Sequence, residues 1–154
     1  MNGTLVLVVP VYNEATLIGQ SLPQILHAAR AAVSASGLDL AVRLLAVDDG
    51  SSDGTRASLA GLKAQDDAIG FISFTRNFGK EAAIHAGLQQ ACGPLQARVM
   101  VVIDADLQHP PQLIGAMLGH WRAGAAVVEA VKQQRGDEGA LRRLAARAFY
   151  GTFT

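Results

Sequence analysis

Short apolar runs alternate along the chain with longer stretches in which apolar residues recur every three to four positions. Five runs, at 4–10, 40–47, 69–75, 98–104 and 125–131, are nearly continuous in apolar character. Continuous rather than alternating apolar runs are what strands buried on both faces of a parallel sheet require. Between them, from residue 14 to 34, Leu17, Ile18, Leu22, Ile25, Leu26, Ala29 and Val33 form a helical stripe, with Pro23 inside it predicting a kink. Two shorter helices are predicted over 53–63 and 80–91, and Leu113, Ile114, Met117, Leu118 and Trp121 mark the apolar face of a fourth. The pattern reads β-α-β-α-β-α-β-α-β, an α/β layered domain with a mostly parallel sheet. It shows no internal repeat, low-complexity tract or linker, so residues 1–154 read as a single domain.

Composition agrees. The chain has 154 residues, within the ~100–200 typical of one domain, and a chain of this length buries roughly two-thirds of its unfolded surface. Half of the residues are hydrophobic and 17% are charged, which excludes a disordered polar chain. Thirteen basic residues balance thirteen acidic ones, so no global field draws the chain to nucleic acid. The single cysteine, Cys92, makes no internal disulfide and fits a reducing compartment. No apolar run approaches the ~18 residues of a membrane span. No Lys or Arg precedes the first apolar run, as it would in a secretory signal. The chain is therefore expected to be soluble and cytoplasmic. Charge is uneven, however. Residues 132–147 hold Lys132, Arg135, Arg142, Arg143 and Arg147 against Asp137 and Glu138. A basic amphipathic helix is expected over 139–150, either as an ordinary packed surface helix or as a membrane-surface element.

The candidate chemistry lies where the first four predicted strands end. In an open α/β sheet, ligands bind beyond the carboxyl ends of the strands. Those ends carry Pro10-Val11-Tyr12-Asn13-Glu14, then Asp48-Asp49-Gly50-Ser51-Ser52-Asp53-Gly54-Thr55, then Thr75-Arg76-Asn77-Phe78-Gly79-Lys80-Glu81, then Asp104-Ala105-Asp106-Leu107-Gln108-His109. Turn chemistry explains any one of these clusters, but explains four on one rim less well. Asp104 and Asp106 at a strand end, with Gln108 nearby, are hard oxygen donors suited to Mg²⁺ or Mn²⁺ bridging to a phosphate. Asp48 and Asp49 suit the N–H of a base or the hydroxyls of a ribose, while Ser52 or Asp53 reads as the cap of the next helix. Arg76 and Lys80 around Gly79, at a helix start, suit a phosphate. No dinucleotide fingerprint follows the first strand, and Gly79-Lys80 is followed by Glu81, which excludes a P-loop. His27, His85 and His120 lack metal-ligand spacing and read as surface or helix-packing residues; His109 stands beside the acidic pair.

VPVYNE at 9–14, VDDGSSDGT at 47–55, SFTRNFGKEAAIHAGL at 73–88 and IDADLQHPP at 103–111, in this order, resemble family-two glycosyltransferases of the GT-A fold. The likeness is greatest to the polyprenyl-phosphate branch, the dolichyl-phosphate mannose synthases and bactoprenol glucosyltransferases. The resemblance implies a Rossmann-like three-layer α/β/α domain with a mostly parallel sheet. It implies that Pro10, Tyr12, Glu14, Asp48 and Asp49 bind the nucleotide sugar; Arg76 and Lys80, by their charge at a helix start, are expected beside its phosphates. Asp104, Asp106 and Gln108 would hold Mg²⁺ or Mn²⁺, Asp106 being catalytic. Lys132 and Arg135 would face the phosphate of a polyprenyl phosphate acceptor; relatives often carry Arg where Lys132 stands. Relatives also run on further, commonly with transmembrane helices. The chain is thus expected to be a catalytic core lacking a C-terminal acceptor and membrane part, working at the cytoplasmic face of a membrane, possible as an oligomer. Three other readings stay open: the same fold acting on a glycan hydroxyl; a phosphohydrolase whose first Asp is the nucleophile, which wants Thr or Val where Gln108 stands; and a non-catalytic nucleotide-sugar-binding module.

Overall fold

The first apolar run becomes the centre of the sheet because it can be buried on both sides. In the computed structural model, which describes residues 3–131, β1 (Gly3–Val11) has Leu5, Val6, Leu7, Val8 and Val9 fully buried. It is followed by α1 (Ala15–Ser36), β2 (Leu40–Asp48), α2 (Thr55–Gln65), β3 (Ile69–Ser73), α3 (Lys80–Cys92), β4 (Val99–Val102) and α4 (Leu113–Arg122). The four strands are parallel in the order β3-β2-β1-β4, with Gly3 to Val11 paired to Leu40 to Asp48 and Leu5 to Val8 paired to Val99 to Val102.

The side-chain alternation of β1 builds a core on each face. Leu5, Leu7, Val9 and Val11 pack with Ile18, Leu22, Ile25 and Leu26 of α1, Leu59 of α2 and Ile114 and Leu118 of α4. Val6 and Val8 pack with Val47 of β2 and with Ala83 and Ala91 of α3 on the other face. The result is the three-layer arrangement expected. α3 lies close to the sheet because Gly87 has no side chain: a Cβ there would stand 2.3 Å from Val8 Cγ1 and 3.0 Å from Val47 Cγ2. Pro23 sits within α1 without ending it. Pro10 is tolerated in the middle strand for a register reason. The Thr4 and Val8 carbonyls accept from the N–H groups of Arg98 and Ile103 on the β4 side. By the same alternation Pro10 faces that side, two residues past the last β4 pair, Val8 with Val102, where the missing N–H costs the ladder nothing.

The sheet grows from β1 outward through β2 and β3, then returns through α3 to place β4 on the other side of β1. The change of direction leaves a crevice outside the carboxyl ends of β1 and β4, the usual ligand position in such sheets.

One predicted strand is absent. Residues 125–131 follow Gly124, whose φ is 104°, and run without strand pairing, Val127 and Val131 being 87% and 77% exposed. An apolar β-branched run becomes a strand only where a neighbouring edge takes its backbone hydrogen bonds. Here most of the segment instead lines a groove of about 680 Å³ beside β4, with Met100, Leu113, Met117 and Trp121. β4 is also shorter than predicted, ending at Val102, so Asp104 and Asp106 stand on the turn that follows it. No helix among the described residues is long and apolar enough to cross a membrane.

Candidate active site

Four loops converge at the switch point, and their backbones are tied to one another across long sequence distances. After β1, Asn13 takes a left-handed conformation, φ 53°. Its N–H donates to Ser51 Oγ at 2.9 Å, and its Oδ1 accepts from the Ser52 N–H at 2.9 Å. The Glu14 N–H donates to Thr55 Oγ1 and the Ala15 N–H to Asp53 Oδ2, while Asp53 Oδ1 accepts from the Thr55 N–H. Asp53 thus serves the first N–H groups of two helices at once, a larger role than the single cap expected of it. The Thr55 side chain first, and then the Thr55 and Ala15 N–H groups, hold its carboxyl below the usual range.

The acidic pair after β2 turns inward. Asp48 is fully buried; its Oδ1 accepts from the Ser51 N–H at 2.9 Å. Its Oδ2 has no hydrogen-bond partner and lies 3.7 Å from Arg56 Nε. Asp49, 3% exposed, accepts from the Phe78 N–H at 2.7 Å and the Gly79 N–H at 2.9 Å, one on each oxygen. Asp49 therefore organises the entry to α3 through both of its oxygens. Gly50 lets the two loops touch. Its φ is +70°, and a Cβ would stand 2.2 Å from the Arg76 carbonyl carbon. Arg76 lies over the exposed Phe78 ring, 4.0 Å from guanidinium carbon to centroid, and Phe78 meets Phe74 edge-on at 5.5 Å.

Across the crevice, the first residue of α3 meets the turn after β4. Lys80 Nζ lies 2.6 Å from Asp104 Oδ1. Asp106, exposed, accepts the Gln108 N–H on Oδ1 at 2.9 Å, so Gln108 stands beside the pair through its backbone. Between them Leu107 is held at φ 59°, a costly conformation for a bulky residue. Its side chain packs against the main core and fixes the turn in place. On the β1 side, Glu14 has its carboxyl pushed up, first by burial and then by the charges of Asp106 and Asp104, with Lys80 acting in the opposite direction. Its Oε2 is buried without a hydrogen-bond partner. Glu14, Lys80, Asp104 and Asp106 thus form one electrostatic unit, with Tyr12, 47% exposed, on the same loop as Glu14.

This unit carries more negative charge than Lys80 balances. Among the described residues no three His, Cys, Asp or Glu side chains are set to hold a metal ion. Two hard carboxylates, with phosphate oxygens and water completing the shell, are however the usual protein share of a Mg²⁺ or Mn²⁺ site. The donor set fits such an ion on that basis. His27, His85 and His120 are exposed, as surface residues would be, and His109 lines the groove beside β4. Lys132, Arg135 and the 139–150 segment lie outside the described residues. Asn13 and Thr55 stand in the clusters named from the sequence but had no role assigned to them, and Arg56 lay just outside; Asn in a turn directly after a strand was the available signal.

The profile of Glycosyl transferase family 2 matches residues 6–153. The chain belongs to that family. Among curated relatives, it is 36% identical over 144 residues to a prophage bactoprenol glucosyl transferase homolog of Escherichia coli K12, covering 94% of this chain and 44% of the relative. It is 40% identical over 142 residues to an undecaprenyl-phosphate 4-deoxy-4-formamido-L-arabinose transferase of Erwinia tasmaniensis, covering 92% and 40%. The chain therefore spans less than half the length of these relatives. Among solved structures, a mannosyltransferase from Pyrobaculum calidifontis in complex with GDP-Man and Mn²⁺ superposes with a TM-score of 0.63 at 25% identity, covering 88% of this chain and 37% of that one. A mannosyl-3-phosphoglycerate synthase from Rubrobacter xylanophilus gives 0.60 at 24% identity over 98% and 47%. The fold is of the GT-A type.

Proposed function

We propose that the protein is an inverting, metal-assisted glycosyltransferase moving a sugar from a nucleotide sugar, of the UDP-glucose or GDP-mannose type, to a polyprenyl phosphate. The observation that carries this reading is the meeting of Glu14, Lys80, Asp104 and Asp106 outside the carboxyl ends of the two strands flanking the switch point. The names of the bactoprenol and undecaprenyl-phosphate relatives support the lipid phosphate as acceptor. The GDP-Man and Mn²⁺ held by the Pyrobaculum enzyme support a nucleotide sugar and a divalent ion.

Pro10, Tyr12 and Glu14 contact the nucleotide. Asp48, whose buried Oδ2 faces Arg56 without a hydrogen bond, serves the base side, and Asp49 acts by holding the Phe78–Gly79 turn against it. Arg76 and Lys80 bring positive charge to the diphosphate. A Mg²⁺ or Mn²⁺ ion held by Asp104 and Asp106, with Gln108 beside them, would neutralise charge building on the nucleoside diphosphate as it leaves. An acceptor phosphate oxygen attacks the anomeric carbon from the face opposite the leaving group, which inverts that carbon. A phosphate monoester, with its second pKa at ~6, is already anionic near neutral pH and needs no general base. It needs positioning charge, the role proposed for Lys132 and Arg135. In the whole protein, proposed to work at the cytoplasmic face of the membrane with 1–154 as its single GT-A domain, the basic 139–150 segment would favour an anionic surface.

A panel of UDP- and GDP-sugars offered to the full-length protein with polyprenyl phosphate tests this. The expected result is one donor whose sugar appears on the lipid phosphate with inverted configuration. Transfer to a glycan hydroxyl, with none to the lipid phosphate, contradicts it.

A further inference from the structure

Lys80 stands where two charge demands meet, and it cannot satisfy both at once. Its Nζ lies 2.6 Å from Asp104 Oδ1, the length of a direct charge-assisted hydrogen bond. Its backbone is fixed: Lys80 is the first residue of α3, and the two N–H groups before it, those of Phe78 and Gly79, are both held by Asp49. Its head is not fixed by packing, since the side chain is 55% exposed. The stem has four flexible carbons and the ammonium is a point charge without a set geometry. The residue is therefore anchored at one end and mobile at the other, at a helix start that favours anions.

We propose that Lys80 is an exchange cation, which competes with a divalent ion for Asp104 and passes to the donor's diphosphate when the ion takes that carboxylate. The inference rests on reading this rim as a metal-assisted nucleotide-sugar site. Its basis is charge. Asp104 and Asp106 together carry two negative charges, which a divalent ion balances in full. The ammonium then loses its one ion-pair partner, keeps only the field of Glu14, with which it makes no direct pair, and is repelled by the ion. The diphosphate is the anion within reach of a long side chain starting at the same rim. Metal and nucleotide consequently bind with positive coupling through one side chain: the ion releases Lys80, and the diphosphate keeps it released. Lys80 is on this view a positioning residue whose partner changes along the binding sequence.

The test uses Lys80→Gln and Lys80→Met, both neutral, with Lys80→Arg as the charge-retaining variant, in the full chain. Mn²⁺ binding without nucleotide is titrated by the loss of the free Mn²⁺ spin-resonance signal. UDP and GDP binding at saturating Mn²⁺ is titrated by calorimetry. Removing the competitor is expected to tighten Mn²⁺ binding by about three- to tenfold in the neutral variants. Removing a charge-assisted contact is expected to weaken nucleoside diphosphate binding by about tenfold, with Lys80→Arg retaining most of it. Opposite signs for the two ligands are the signature of an exchange. Unchanged nucleotide affinity in the neutral variants would make the Lys80–Asp104 pair a fixed structural contact and overturn the inference. So would unchanged or weaker Mn²⁺ binding. If the wild-type chain binds nucleoside diphosphate equally with Mn²⁺ and with EDTA, the reading of the rim fails first and the inference with it.

Discussion

Asp49 and Gly50 are adjacent residues that solve one problem, the close approach of the loops after β2 and β3. Asp49 supplies both carboxylate oxygens to the next loop's N–H groups, and Gly50 supplies the absence of a side chain. Gly50→Ala places a Cβ 2.2 Å from the Arg76 backbone at a φ of +70°. The left-handed conformation alone costs an L-residue about 1–2 kcal/mol, and the clash adds to it. A lowered melting temperature together with weaker nucleotide binding is expected; an unchanged melting curve would contradict the geometry. Glu14 makes a prediction about pH. Its carboxyl is raised above its ordinary 4.5 in the folded chain, by burial first and by Asp106 and Asp104 next. Above 4.5 the folded state therefore holds this proton more than the unfolded state does, and the residue's contribution to stability falls as pH rises through the raised value. Glu14→Gln should raise the melting temperature relative to wild type, increasingly from pH 4 towards 7. A constant difference across that range would contradict it. The adjacency of Asp48 and Asp49 was legible in the sequence, but their burial was not. That of Asp49 depends on amides contributed by Phe78 and Gly79, about thirty positions away, which no local pattern announces.

At the scale of elements, four strands and four helices were legible because each has a strong periodic or continuous apolar signal. The run at 125–131 misled because apolar content does not say whether a segment pairs with the edge beside it; here it lines the groove next to edge strand β4 without pairing to it. The turn after β4 was half legible: two acids at a strand end predict a ligand-facing turn, while the left-handed Leu107 that shapes it is set by core packing. The layer formed by α3 is the most demanding contact. Gly87→Ala puts a Cβ 2.3 Å from Val8 Cγ1 and should destabilise the fold by about 1–3 kcal/mol, as overpacking does. Truncating the obstructing side chain gives a sharper check. The double variant Gly87→Ala, Val8→Ala should be more stable than the sum of the single effects predicts, and strict additivity in denaturant unfolding would contradict the contact. The shared cap is the second demanding contact. Asp53→Ala removes acceptors from the starts of both α1 and α2. It is expected to lower the melting temperature at neutral pH and to lose that effect as pH falls through the depressed pKa of Asp53.

At the scale of the molecule, a reversal of strand order brings chemistry from four distant stretches to one crevice. The loops after β1 and β4 meet there because α3 carries the chain back across the sheet. Membership of glycosyl transferase family 2, over residues 6–153, agrees with that architecture. The basic stretch from Lys132 onward belongs to the acceptor side of the proposal. Lys132→Ala with Arg135→Ala in the full-length protein should lower turnover with lipid phosphate and leave nucleotide affinity intact; a loss of nucleotide affinity would assign both residues to the donor instead. The most direct test of the whole reading is a calorimetric titration of UDP and GDP into the wild-type chain and Asp106→Asn, each with Mn²⁺ and with EDTA. Binding that requires Mn²⁺ and weakens by about tenfold in Asp106→Asn is expected when a charged donor leaves such a site. Equal affinity in EDTA, or an Asp106→Asn variant that binds as the wild type does, would contradict a metal-gripped diphosphate at this rim.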